Sequence, residues 1–197
     1  MATRGFTGRP RTDDGRVPPG QYVVDDFPVL TAGPTVGVTE QEWELTIGDG
    51  NTTKTYDWKS LHALPIEAIT VDIHCVTHWT KLDTEWEGVR VSTLFEDADV
   101  GDYDFALITS YGDYATNLPA SDLVDHDALI ATRYNGEPID AEHGGPVRLV
   151  VPHLYFWKSA KWVRHIRLAD EDEPGFWEAA GYHSYGDPWH EQRYYAD

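Results

Sequence analysis

The chain has 197 residues, of which 41% are hydrophobic, enough to bury one core and few enough to favour a single domain. Its 34 acidic and 15 basic residues leave a formal net charge of −19, and a field of that sign excludes wholesale binding of nucleic acid or anionic membrane. No run approaches the roughly 18 consecutive apolar residues of a membrane helix, and a single cysteine, Cys75, excludes an intramolecular disulfide.

The N-terminal stretch from Met1 to Pro10 has no apolar h-region and no twin-arginine pair ahead of one. No secretory route is read there, so a cytoplasmic location is expected, and a lone thiol suits that reducing compartment. The acids are dispersed (Asp97, Asp99, Asp102 and Asp104; then Asp170, Glu171, Asp172 and Glu173) rather than gathered into a tail. Such a surface stays hydrated in concentrated salt, where a Debye length of about 3 Å screens its self-repulsion. The reading is a halophilic acidic surface; an ordinary acidic protein is the alternative.

Residues 1–20, rich in Gly, Pro, Arg and Asp, read as a flexible lead-in that ends at Pro18-Pro19-Gly20, with one domain over 21–197. Trp43–Ile47 alternates apolar and polar residues, and Gly48-Asp49-Gly50 follows as a turn, so a hairpin into Thr53–Trp58 is expected. Ser60–Leu64 reads as a short helix stopped by Pro65, and Ile66–His74 as a strand that runs into Cys75. Further strands are expected at Phe105–Thr109, Ala128–Arg133, Val147–Val151 and Val163–Leu168, with short helices at Ser92–Asp97 and Ala120–Asp125. There is no βαβ spacing, no Gly-rich phosphate loop after a strand and no internal repeat. The fold class is α+β and mainly β.

Three segments carry chemistry. In Asp72-Ile-His-Cys-Val-Thr-His78 a cysteine lies between two histidines at the end of an apolar strand. It has three readings: an inert buried thiol, a zinc site with His74 and His78 or His183, or one soft thiolate offered to a metal held mainly by something else. Zinc lacks the second sulfur it usually takes, and strand alternation sends His74 and Cys75 to opposite faces. In Glu142-His-Gly-Gly-Pro-Val-Arg148, paired glycines let backbone approach a ligand and Arg148 offers a planar fork for phosphate. Lys158 and Lys161 add point charge nearby. A plain tight turn with solvated cations is the other reading of that segment. The third is Phe176–Trp189, six rings counting His183 in a Gly- and Pro-broken stretch, most of them for burial, though one tyrosine could present its hydroxyl to a pocket.

Together these segments resemble the molybdopterin-binding domain of the sulfite oxidase family, above all its small single-domain prokaryotic members. The residues that carry the resemblance are Asp72-Ile-His-Cys-Val with Trp79 and Trp86-Glu-Gly-Val; His143-Gly-Gly-Pro-Val-Arg-Leu-Val-Val-Pro; Lys158-Ser-Ala-Lys-Trp; and Gly181-Tyr-His-Ser-Tyr-Gly-Asp-Pro-Trp. Their order, with the cysteine upstream of the Gly-Gly-Pro-Val-Arg run, matches the family from about Pro18 to the C-terminus.

The resemblance implies a sulfite-oxidase-type molybdopterin-binding fold of mixed sheets with a few short helices. It implies a molybdenum–molybdopterin cofactor with Cys75 as the protein's ligand to the metal. His143 and Arg148 match positions that hold the pterin and its phosphate, and Ser159 and Lys161 match a segment that contacts the same cofactor. Ser110 falls where a further cofactor contact is placed, while Phe27, Leu30 and Thr31 resemble a segment lying along the pterin. Tyr182 falls at the position of an active-site tyrosine. One departure is Leu30, with Thr31 and Ala32 after it, where sulfite oxidases carry an arginine for the sulfite anion followed by Asn-His; a site without that cation binds a dianion less well. Neither a haem domain nor the C-terminal dimerisation domain of eukaryotic members is present, so a separate electron-transfer partner is expected. The function expected is oxygen-atom transfer to or from a small sulfite-, sulfoxide- or N-oxide-like substrate. A non-catalytic molybdopterin carrier of the same fold is the alternative.

Overall fold

The structure, a computed structural model, describes residues 15–50 and 52–197. The expected lead-in thus falls mostly, over 1–14, outside the described residues. At its described end, Arg16 forms a two-pronged pair with Asp72 (2.8 and 2.5 Å) and also reaches Asp83.

Two mixed sheets make up the architecture, with a few short helices, as expected of the fold class. The strands in chain order are β1 (Tyr22–Val23), β2 (Glu44–Gly48), β3 (Thr53–Asp57), β4 (Glu67–His74), β5 (Trp79–Arg90), β6 (Phe105–Ser110), β7 (Ala115–Pro119), β8 (Leu129–Tyr134), β9 (Glu137–Pro138), β10 (Arg148–Val150) and β11 (Val163–Ala169). The helices are α1 (Trp58–Leu61), α2 (Val91–Ala98), α3 (Asp122–Asp125) and α4 (Phe176–Ala179). The first sheet runs β1-β5-β8-β10, with β4 also on β5 and β9 on β8; the second runs β3-β2-β11-β6-β7. Only β1/β5 and β2/β11 pair in parallel. Among the described residues no helix is long and apolar enough to cross a membrane.

The expected hairpin forms as β2 and β3. The first helix begins earlier than expected, at Trp58, and ends at Leu61. Asp57 caps it by accepting from the Ser60 N–H while the Ser60 hydroxyl accepts from the Asp57 N–H, a reciprocal box that fixes the start. Four strands absent from the sequence reading complete the sheets: β5 and β7, and the two-residue β1 and β9. β5 is the longest, and its turn from β4 is built on the cysteine. The Cys75 N–H donates to Trp79 O (2.8 Å) and the His78 N–H to Cys75 O (3.0 Å), so Cys75 sits at a hairpin tip rather than within a strand.

β8 and β10 explain the continuous apolar runs at 128–131 and 147–151. Ile130, Val147 and Leu149 face the larger core, shared with Trp43, Leu45, Ile108 and Leu94. Leu129, Ala131 and Val150 face a second cluster with Ile73, Cys75, Trp79 and Trp86. A strand buried on both faces needs apolar residues at every position. Arg148 breaks that run. It shares the parity of Val150 and stands opposite Ala131, so period-two alternation sends its guanidinium to the face that carries Cys75.

The packing of β5 on β8 depends on Gly88. A Cβ built there would lie 2.0 Å from Ile130 O and 2.7 Å from Ala131 Cα, beside a register shift in β5. Gly88→Ala should therefore lower stability by about 1–3 kcal/mol, the cost of overpacking a rigid core. Urea unfolding measures it, and an unchanged midpoint would contradict this packing.

Candidate functional site

A cavity of about 430 Å³ opens on the second cluster, within the size range of cofactor sites. It is bordered by residues far apart in sequence: Phe27, Leu30 and Thr31, then Cys75, then His143 and Arg148, then Ser159 and Lys161, and last Tyr182. Nine of the ten expected site residues thus line one space. Ser110 is the exception. It ends β6 buried, its hydroxyl without a hydrogen-bond partner, and the turn beyond it at Gly112–Tyr114 borders the cavity instead.

Cys75 is only 7% exposed, and its sulfur lies 3.1 Å from the Thr77 hydroxyl. Burial pushes its pKa above the ordinary thiol range, against smaller opposing effects of Thr77 and Arg193. Free of metal, it is a protonated thiol. The zinc alternative does not assemble around it. His74 Nδ1 pairs with the Thr80 hydroxyl and His78 Nδ1 with Gly20 O, while His183 Nδ1 accepts the Tyr185 and Gly186 N–H groups. These histidines are each engaged elsewhere, and with Cys75 they form no set of three converging ligand atoms.

Arg148 is 1% exposed. Its fork does not stand free, as the sequence reading has it. One arm donates to His143 O (2.6 Å), the other to Ser159 O (2.8 Å), and the plane lies over Phe156, 4.2 Å from the ring centroid. Burial lowers its pKa, yet a guanidinium does not surrender its proton inside a protein. Lys161 donates to Leu30 O (2.7 Å) and Glu142 O (2.6 Å), and burial first, then Arg148, bring its pKa down to about 8. Neither cation has an ion-paired carboxylate among the described residues, in a chain of net charge −19. Two cations without counter-charge beside one cavity favour an anion there.

Of the two readings of the paired glycines, the structure fits the tight turn and not the approach to a ligand. Gly144 N–H donates to Ala141 O and Gly145 N–H to Asp140 O, so both serve the turn and not a ligand. A Cβ on Gly145 would lie 1.9 Å from Ile139 O, and one on Gly144 2.9 Å from Lys161 Cβ. The close approach is of chain to chain. Lys158 is likewise turned away from the cavity, fully buried, with its ammonium on Glu178 (2.6 Å), Asn117 O and Ser184 O. Glu178 also accepts from Trp157 Nε1 and the Thr116 hydroxyl, so this pair fastens α4 and the chain leading to Tyr182 against the body.

His143 stacks on Phe27, with centroids 4.0 Å apart and planes 9° from parallel, and its Nδ1 is buried without a partner. Burial and then Arg148 lower its pKa, so the ring is neutral. Tyr182 packs edge-on to Trp157 (5.3 Å). Burial, then Tyr194 and Cys75, raise its pKa, so its hydroxyl stays protonated as a donor. The sequence reading gives no site role to Trp79, whose indole N–H is buried and unpartnered beside the cavity, nor to Trp157 and Trp162, which also border it. Partnerless polar atoms around a cavity mark places where a ligand completes the hydrogen bonding.

A model of the oxidoreductase molybdopterin-binding domain matches residues 32–177. The "Uncharacterized oxidoreductase YuiH" of Bacillus subtilis is 42% identical over 194 residues, covering 96% of this chain and 98% of its own length. The protein-methionine-sulfoxide reductase catalytic subunit MsrP of Gluconobacter oxydans is 27% identical over 64% of the chain, and the mitochondrial sulfite oxidase of Drosophila melanogaster 24% over 82%. The chain spans 46% and 32% of the lengths of those two proteins. The sulfane dehydrogenase SoxCD of Paracoccus pantotrophus shares the fold, with a TM-score of 0.63 at 23% identity over 70% of this chain and 40% of that one.

The raised thiol pKa gives a direct test. Only the thiolate is alkylated, so in cofactor-free protein the rate at Cys75 should be slow near pH 7 and climb by up to about tenfold per pH unit, without levelling by about pH 9. A rate already flat near pH 7 would mean a depressed pKa and contradict this environment.

Proposed function

The chain belongs to the family of oxidoreductase molybdopterin-binding domains, and we propose that residues 21–197 act as one such domain, transferring an oxygen atom to or from a small substrate. The observation that carries this reading is that the sole thiol and two cations without carboxylate partners border the same cavity. An anionic, sulfur-rich, metal-bearing cofactor fits that donor set: a soft thiolate for the metal, and two cations and the unpartnered Trp79 N–H for its organic part.

Cys75 serves as the protein's metal ligand, and gives up its proton on ligation. Arg148 and Lys161 supply the positive field, and Ser159 and neutral His143 complete the hold on the pterin and its phosphate. Phe27, with Leu30 and Thr31 at the outer edge, lies along the same group. When bound, the molybdenum–molybdopterin group supplies the two-electron redox change and the oxygen-atom chemistry. Tyr182 donates a hydrogen bond to the substrate oxygen, and the Trp157 and Trp177 rings packed against it hold its ring in place. Ser110, close to the turn at 112–114, acts through that turn.

Leu30 bears on the substrate. It is 43% exposed at the edge, and of the cations that border the cavity Arg148 is buried on the His143 and Ser159 carbonyls while Lys161 is held on the carbonyls of Glu142 and of Leu30 itself. A mouth without a free cation favours a neutral sulfoxide or N-oxide over the sulfite dianion. Electrons pass to or from a separate partner, and a reducing cytoplasm is the compartment that suits the lone thiol.

Elemental analysis of natively expressed protein should give close to one molybdenum per chain. Cys75→Ser should keep the fold but lose more than about 100-fold in turnover, beyond the upper end of what a lost outer-shell partner costs a metal site. Full turnover in that variant refutes the assignment of Cys75. Molybdenum that responds to no reductant decides for the carrier reading. Separately, Tyr182→Phe should lower kcat on a sulfoxide or N-oxide by about 10²-fold with cofactor content unchanged; unaltered kcat removes Tyr182 from the reaction.

A further inference from the structure

Away from the cavity, three groups of metal-ligand chemistry converge. Asp122, His126 and His153 each offer one ligand atom, and those atoms lie within 4.8 Å of one another. Asp122 opens α3 and His126 follows its last residue, a four-residue spacing that sets both on one face. His153 reaches them from the turn after β10. Its Nε2 stands 3.2 Å from Asp122 Oδ2, and its ring centroid lies 4.2 Å from that of His126. The Asp122 side chain is 8% exposed, whereas His126 is exposed. Nδ1 of His153 is buried with no hydrogen-bond partner.

Two imidazoles converging on one buried carboxylate match the spacing of a small ion. With bonds of about 2.0–2.2 Å, a tetrahedral ion holds its ligand atoms roughly 3.3–3.5 Å apart. The Asp122–His153 separation of 3.2 Å falls just short of that, and a small spreading of this pair with rotation of the exposed His126 brings the three atoms into range. Imidazole and carboxylate without thiolate suit zinc and its neighbours; calcium and magnesium take oxygen ligands. Three protein ligands leave a fourth position to water.

We propose that Asp122, His126 and His153 bind one zinc-class divalent ion at a site separate from the molybdopterin cavity. None of the three borders that cavity. The ion joins α3 to the turn after β10. Tyr185, which lies beside Asp122 and has its ring 6.5 Å from that of His153, brings the segment carrying Tyr182 against the same cluster. The site is thus placed to stiffen the wall that presents Tyr182.

The test uses the full chain without a polyhistidine tag, purified with its own cofactor, treated with EDTA and titrated with Zn²⁺ by calorimetry and with Co²⁺ by visible absorption. The wild type should take up one tight equivalent, with the intense ligand-field bands of low-coordinate Co²⁺. His126→Gln, at an exposed position that spares the fold, should bind more than about tenfold more weakly, without those bands and with molybdenum content unchanged. Asp122→Asn should weaken uptake in the same way. Equal affinity in wild type and His126→Gln, or no stoichiometric uptake by the wild type, overturns the site. Neither result touches the assignment of Cys75.

Discussion

A buried guanidinium without a carboxylate organises this molecule. Arg148 opens β10, the three-residue strand that ends the β1-β5-β8-β10 path, with both arms closed on carbonyls from different segments, His143 and Ser159. Those bonds tie the Gly-Gly-Pro turn to the chain after β10 and so shape the wall of the cavity. They give each arm one acceptor but leave the charge unbalanced. A charge in low dielectric without a partner is costly, and an anionic ligand offsets that cost. The cavity is therefore locally positive inside a strongly acidic protein.

The same logic separates two lysines three residues apart. Lys158 has its counter-ion, Glu178, and together they act as a rivet between the body and the C-terminal segment. Lys161 has only carbonyls, from Leu30 and Glu142, and borders the cavity. One cation is spent on architecture and the other remains available to a ligand. Burial acts on the uncharged groups in the same sense: it holds Cys75 and Tyr182 protonated and His143 neutral, so these groups bring no negative charge to the cavity, whose lining has one carboxylate, Asp113.

Much of this was legible in the residues. Period-two alternation at Trp43–Ile47 becomes a strand with its apolar side chains buried, and the runs at 128–131 and 147–151 become strands buried on both faces. β5 escaped because the positions it buries include Thr80, Thr84 and Gly88, which carry little apolar signal, while Lys81, Asp83 and Glu85 make the segment read as loop. β7 escaped for a similar reason, being short, ended by Pro119 and centred on the buried Asn117. At the site, residue types and order were readable but directions were not. Nothing in Lys158-Ser-Ala-Lys161 says which amine turns toward Glu178, and nothing in Gly144-Gly145 says that chain, not ligand, approaches them. Those are decisions of tertiary packing. The Asp122, His126 and His153 cluster was equally hidden, since His153 lies 27 positions beyond His126 and only the fold joins them.

On the proposed function the one thiol ligates a metal carried in by an anionic organic group. X-ray absorption at the molybdenum edge, on wild type and Cys75→Ser loaded alike, tests it most directly. The wild-type metal should have one more sulfur neighbour than the variant's, with the dithiolene sulfurs remaining in both. An identical sulfur count in the two proteins would contradict it.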